Sequence, residues 1–146
     1  MGVKLGMDAK LYRNTGSYAS PVWNEVKNVK DVTLNLEAGS ADVTTRGNGG
    51  WRANIATLKD GSIEFEMVWD TADDDFTAIR TAFLTNAAIE FAVLDGPVAT
   101  SGSQGLRASM AITNFSRAEP LEEVIKVSVT AKPTYATNPP EWMTST

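Results

Sequence analysis

The stretch from residue 62 to residue 69 reads Ser62-Ile63-Glu64-Phe65-Glu66-Met67-Val68-Trp69. Every second residue from Ile63 to Trp69 is apolar, so these side chains share one face of an extended chain. Glu64 and Glu66 lie on the opposite face. The alternation therefore predicts a strand that buries one face and leaves the other in water.

The same two-residue period recurs along most of the chain and predicts further strands. These cover Leu5 to Leu11, Val29 to Leu36, Ile89 to Val93, Leu106 to Phe115 and Glu123 to Ala131. One segment differs, because its apolar residues recur at helical spacing from Phe76 to Leu84. Acidic residues precede them, where the helix dipole favours negative charge. We expect a helix from about Ala72 to Thr85 that covers one face or one end of a sheet of five to seven strands.

Three segments lack a regular pattern, one of which is the loop of small residues from Gly96 to Gly105. Residues 38–58 read as a long loop that contains Arg46-Gly47-Asn48-Gly49-Gly50-Trp51-Arg52, and residues 134–146 read as a C-terminal arm that carries Trp142. An exposed tryptophan in a tail is unfavourable unless it docks somewhere. The sequence has no internal repeat or interdomain linker, so we expect residues 1–146 to form a single domain.

Composition argues against several classes of function. The 146 residues include no cysteine and no histidine, which removes thiolate metal sites, the usual general base near neutral pH and most zinc chemistry. The formal net charge is −5, and lysine and arginine do not cluster as they do in nucleic-acid-binding surfaces. We expect neither an enzyme nor a cofactor. The sequence also predicts no signal peptide and no membrane span.

Three groups of residues have a chemical interpretation beside a structural one. The acids Asp70, Asp73, Asp74 and Asp75 lack the spacing of a calcium loop and are typical of a helix N-terminus. Glu64 and Glu66 are interpreted as a glycosidase-like pair, as a solvated strand face, or as a face that repels polyanions. The glycine-rich loop lacks a phosphate-binding pattern, whereas its tryptophan and arginines are good anchors for another protein.

An ordered set of segments from Val22 to Pro133 resembles the tail tube (major tail) proteins of long-tailed bacteriophages and prophages. The segments are Glu25–Leu34, Ala41–Gly47, Gly50–Arg52, Leu58–Asp70, Phe76–Ile79 and Ala92–Gly96. The resemblance implies a mainly β fold of two packed antiparallel sheets, a β-sandwich or partial barrel, flanked by one α-helix. It also implies hexameric rings that stack into a hollow tube through which DNA passes without specific binding.

The resemblance assigns roles to particular residues as well. The long loop reaches the neighbouring ring in that family, which points here to Arg46, Asn48, Trp51 and Arg52. The C-terminal arm with Trp142 is a further contact. Acids that are candidates to line the channel are Glu64, Glu66, Glu90, Glu122 and Glu123. The implied partners are other copies of the chain and the tape measure, tail terminator and baseplate or tip proteins, in a virion tail assembled in the host bacterial cytoplasm.

Two other functions stay open at this stage. The first is the inner tube of a contractile or type VI-like injection system, which shares the fold and conducts a different cargo. The second is a carbohydrate-binding β-sandwich, which is disfavoured because the four tryptophans are scattered along the sequence.

Overall fold

The computed structural model describes residues 3–146, which form eight strands, one α-helix and two short 3-10 turns. The strands are β1 (Lys10–Asn14), β2 (Trp23–Glu25), β3 (Val29–Asp42), β4 (Asn54–Val68), β5 (Ile89–Leu94), β6 (Gln104–Ala118), β7 (Lys126–Pro133) and β8 (Glu141–Thr144). The helix α1 spans Asp74–Thr85, and the 3-10 turns span Gly6–Asp8 and Arg46–Asn48. The predicted mainly β fold with one helix is confirmed.

All eight strands belong to one antiparallel sheet with the order β2-β1-β5-β6-β7-β4-β3, and β8 adds to β6. Phe65 on β4 and Phe91 on β5 are separated by two strands, which in a flat sheet would place them about 14 Å apart. Their ring centroids are only 6.0 Å apart. The sheet therefore curls onto itself, and the two expected layers are parts of one hydrogen-bonded sheet that resembles a partial barrel.

The core fills the inside of this curl. From β4 it takes the alternating residues Ile63, Phe65 and Met67, as the sequence pattern predicts. The helix covers the open side with Phe76 and Ile79, both fully buried. Strand β7 contributes the alternating residues Val127, Val129 and Ala131.

The helix begins two residues later than the sequence predicts. The Asp73 side chain accepts a hydrogen bond from the Phe76 N–H at 3.0 Å and so acts as the N-cap. At the other end Asn86 adopts a left-handed conformation with φ of 57°, which ends the helix after Thr85. The predicted end of the helix is therefore confirmed.

Two sequence-based boundaries are wrong. Leu5 and Met7 do not begin a strand, because β1 meets its neighbour β5 only from Lys10 onward, and both side chains are exposed. The expected loop of residues 38–58 is strand at both of its ends: β3 continues to Asp42 and β4 starts at Asn54, so only residues 43–53 connect them. Backbone pairing between the two strands sustains this extension without burying side chains.

Candidate functional site

The hairpin of β3 and β4 projects beyond the curled sheet. Its two strands stay in register from Leu36 opposite Gly61 to Asp42 opposite Asn54, with one bulge. Over this part nearly all side chains are exposed, including the apolar Leu36, Ile55 and Leu58. An exposed apolar surface of this kind is typical of a protein–protein contact.

The connection between the two strands, residues 43–53, is a defined turn; we call it the hairpin tip. At its base the Asp42 carboxylate accepts hydrogen bonds from the Thr44 N–H at 2.8 Å and from the Thr44 hydroxyl. These bonds lower the pKa of Asp42, with the hydroxyl as the larger cause. Gly49 and Gly50, with φ of 60° and 83°, supply the left-handed conformations that the turn needs.

The structure places all four predicted stacking residues on the hairpin tip. Arg46, Trp51 and Arg52 are exposed, and the Trp51 side chain is 80% accessible. Asn48 is half-buried, and its Nδ2 has no hydrogen-bond partner among residues 3–146. The tip thus combines an exposed indole with two guanidinium groups, which are the side chains most often found as binding anchors.

Glu64 and Glu66 lie on the side of β4 that faces away from the core. Their register neighbours on β7 are Thr130 and Ser128, and these lie opposite Asn114 and Ser116 on β6. We call the outward side of β3, β4, β7 and the C-terminal half of β6 the polar face. Lys126 contacts Glu66 there at 3.7 Å. The two glutamates therefore stand on an open strand surface.

The other three candidate acids lie outside β4. Glu122 and Glu123 lie in the turn between β6 and β7, where Glu123 pairs with Lys126 at 3.1 Å. This contact is the main reason that the pKa of Lys126 is raised, with a smaller effect from Glu66. Glu90 is on β5 in the other half of the sheet, in an ion pair with the buried Arg107. Glu123 thus reaches the polar face through Lys126, whereas Glu90 lies away from it.

The C-terminal arm docks on its own chain. Strand β8 pairs with the first residues of β6, and the Trp142 Nε1 donates to the Gln104 side chain at 3.0 Å. Beyond it, Ser145 is buried and its N–H donates to the Ser103 carbonyl at 2.7 Å. Trp142 still exposes more than half of its surface, so docking covers only part of the indole.

Sequence reasoning missed the cluster around Arg107. Its guanidinium donates to Glu90 and to the Tyr18 carbonyl, the latter at 2.6 Å, and lies 3.8 Å from the centre of the Tyr18 ring. A hydrogen bond to Glu141 of the arm is the main cause that raises the pKa of Tyr18. The only signal in the sequence is an arginine within the apolar run from Leu106 to Ala108.

The acids at the start of α1 have the structural role that their spacing indicated. Asp75 is buried and accepts hydrogen bonds from Arg13 at 2.8 Å and Asn24 at 3.0 Å, which ties the helix to β1 and β2. Within residues 3–146 no group of three or more metal-ligating side chains comes together. Over the same residues, no helix is long and apolar enough to cross a membrane.

Comparison with known proteins identifies the family. The family "Phage tail tube protein" matches residues 9–134. No curated protein matches the sequence significantly. The fold is similar to the tail of an empty gene transfer agent particle refined with C6 symmetry, with a TM-score of 0.71 at 20% identity over 92% of this chain and 96% of that one.

Two further structures share the fold. One is from the virion of a native gene transfer agent particle, with a TM-score of 0.73 at 16% identity over 99% of this chain and 100% of that one. The other is the SPP1 tail tube, with a TM-score of 0.69 at 14% identity over 89% of this chain and 75% of that one. With a family match that covers most of its length, the chain belongs to the phage tail tube protein family.

Proposed function

We propose that this structural protein is the repeating subunit of a tail tube, in which copies close into hexameric rings and the rings stack around a channel for DNA. The family match carries the proposal. The sixfold symmetry is taken from the similar gene transfer agent tail, which was refined with C6 symmetry. The subunit has no catalytic role in this proposal.

Ring closure uses the margins of the sheet. The order of strands leaves β2 and β3 at its two ends, and the fourteen-residue β3 pairs along one side only. Unpaired backbone groups on such a margin are satisfied by a strand of another chain. Because the two margins differ, each copy presents its β2 margin to one neighbour and its β3 margin to the other. Such a head-to-tail contact closes into a ring when the rotation between successive copies adds up to a full turn.

The polar face is suited to line the channel. It presents hydroxyl and amide side chains together with Glu64 and Glu66, and its three lysines, Lys30, Lys126 and Lys132, are balanced by these two glutamates and by Glu37, Asp60 and Glu123. A surface without excess positive charge does not hold phosphates, since affinity for nucleic acid depends on lysine and arginine that replace counterions. DNA therefore passes along it without being bound.

The hairpin tip connects one ring to the next in this proposal. To test this, residues 43–53 are replaced by Asn-Gly, which joins the register pair Asp42 and Asn54 through a two-residue turn. We expect the variant to fold and to form rings, but not tubes, in negative-stain electron micrographs over a concentration series. Long tubes from this variant would rule out the stacking role, and rings or tubes are expected from the unaltered protein under the same conditions.

The proposed role in a tail tube also implies a location and a set of partners for the protein. We place it in the virion tail, after assembly in the host bacterial cytoplasm, with the tape measure, tail terminator and baseplate or tip proteins as partners. The support is that the similar structures are tails and virions of related particles. Copurification of these partners with tails isolated from particles is the direct test.

A further inference from the structure

The two ends of strand β4 carry different surfaces. Its first residue, Asn54, adjoins the hairpin tip, and its last residue, Val68, pairs with Lys126 at the start of β7. One residue further, the Trp69 N–H donates to the Ile125 carbonyl at 2.9 Å. The turn between β6 and β7, residues 119–124, therefore lies about 45 Å from the hairpin tip, at roughly 3.3 Å per strand residue.

This β6–β7 turn is both apolar and acidic. The Leu121 side chain is 100% exposed and Val124 is 58% exposed. Three glutamates surround them. Glu119 pairs with Arg117 at 2.8 Å and Glu123 with Lys126 at 3.1 Å, whereas Glu122 has no ion-pair partner among residues 3–146.

The hairpin tip has the complementary character. It exposes the apolar Val43 and Trp51, and its charged residues are Arg46 and Arg52, with no acid between residues 43 and 53. One end of the molecule is thus apolar and basic, and the other is apolar and acidic. A contact between two different patches on identical chains propagates in one direction, because each copy keeps one of each patch free for the next.

We propose that the hairpin tip of one copy docks onto the β6–β7 turn of a copy in the neighbouring ring. Trp51 and Val43 meet Leu121 and Val124, and the two arginines face the glutamates. This inference rests on the proposed stacking of rings and adds the acceptor surface to it. Opposite charges fix the partner and the direction of stacking, since like charges brought together at an interface disfavour the wrong pairing.

Charge reversal tests the pairing. Variant T carries Arg46→Glu and Arg52→Glu on the tip, and variant A carries Glu119→Lys and Glu122→Lys on the turn. All four side chains are exposed, so both variants are expected to keep the melting temperature within a few degrees. Alone, each is expected to form tubes more than about tenfold shorter than the unaltered protein, because the repulsion repeats in every copy of a ring.

An equimolar mixture of T and A restores tube length when rings of T and rings of A alternate. The Glu side chains on the tip of T then face the Lys side chains on the turn of A, and the Arg side chains on the tip of A face the Glu side chains on the turn of T. The matched control, Lys4→Glu with Lys132→Glu, changes the net charge as T does at exposed sites outside both patches and is expected to form full-length tubes. The inference is overturned if A alone forms long tubes, or if the mixture gives no more tube than T and A separately.

A cross-link tests the contact directly, because the chain has no cysteine of its own. Val43→Cys and Leu121→Cys are combined in one chain, and preformed tubes are treated with a short bismaleimide. We expect a ladder of covalent oligomers on denaturing gels from the double variant and none from either single variant. Tubes of the double variant that give no ladder contradict this acceptor, whereas unaltered protein that forms no tubes at all contradicts the proposed function.

Discussion

Arg107 is a buried cation whose contacts come from separate parts of the chain. Glu90 on β5, the Tyr18 carbonyl and ring, and the Trp23 ring at 5.1 Å surround its guanidinium. Replacing one member of a buried ion pair leaves the other charge uncompensated. We therefore expect Arg107→Met to lower the free energy of unfolding by about 3–5 kcal/mol in urea titrations.

The double variant Arg107→Met with Glu90→Leu removes both charges and is expected to lose less stability than Arg107→Met alone. The matched control is the exposed pair of Arg117 and Glu119, 2.8 Å apart. Arg117→Met is expected to cost less than about 1 kcal/mol, as is usual for surface pairs. Equal losses in the buried and the exposed variant would contradict the role of burial.

Asp42 makes the hairpin tip sensitive to acid. Hydrogen bonds from Thr44 lower its pKa below the ordinary 3.8, so they favour the tip as long as the carboxylate is ionised. This contribution is complete above pH 3.8 and is lost as the pH falls through the lowered folded value. We expect the Thr44 amide resonance to shift, and the protection of this amide from exchange relative to its intrinsic rate to fall, only below pH 3.8. In Asp42→Asn the step disappears; a step that survives this substitution belongs to another group.

At the scale of elements, strands with one buried face were predictable and strands with none were not. In β4 the half from Ile63 to Met67 alternates because the core selects its inner residues. The half from Asn54 to Asp60 is exposed on both faces, so no side of the strand selects apolar residues and the pattern disappears. Leu5 and Met7 show the converse, since they alternate with polar residues but have no strand beside them.

The residues of the candidate site also differ in whether the local sequence is enough to predict their arrangement. The residues of the hairpin tip are neighbours in sequence, so a single loop brings them together wherever its ends lie. The acids are distributed over three elements, and their orientation depends on pairing. Glu90 stands beside Ala92 on the face where Arg107 lies, because β5 pairs with β6 in that register. The register between β5 and β6 places Glu90 near Arg107, and this register cannot be read from the local sequence around either residue.

At the scale of the whole molecule, the polar face bears on the passage of DNA. A lining without excess positive charge is expected to leave short duplex DNA in the supernatant when assembled tubes are pelleted, even at low salt. Glu64→Lys with Glu66→Lys adds two cations per copy to this face, beside Lys126. Tubes of that variant are expected to retain DNA at about 50 mM salt and to release it near 200 mM, as counterion release requires.

The matched control for this experiment, Asp8→Lys with Asp74→Lys, makes the same change in net charge at exposed positions away from the polar face. If the polar face lines the channel, only the Glu64→Lys and Glu66→Lys tubes hold DNA that nuclease added from outside fails to digest. DNA digested equally in both places the polar face on the exterior of the tube, and DNA bound equally by the control assigns retention to net charge instead of to the polar face. DNA retained by unaltered tubes at low salt contradicts a lining that does not bind its cargo.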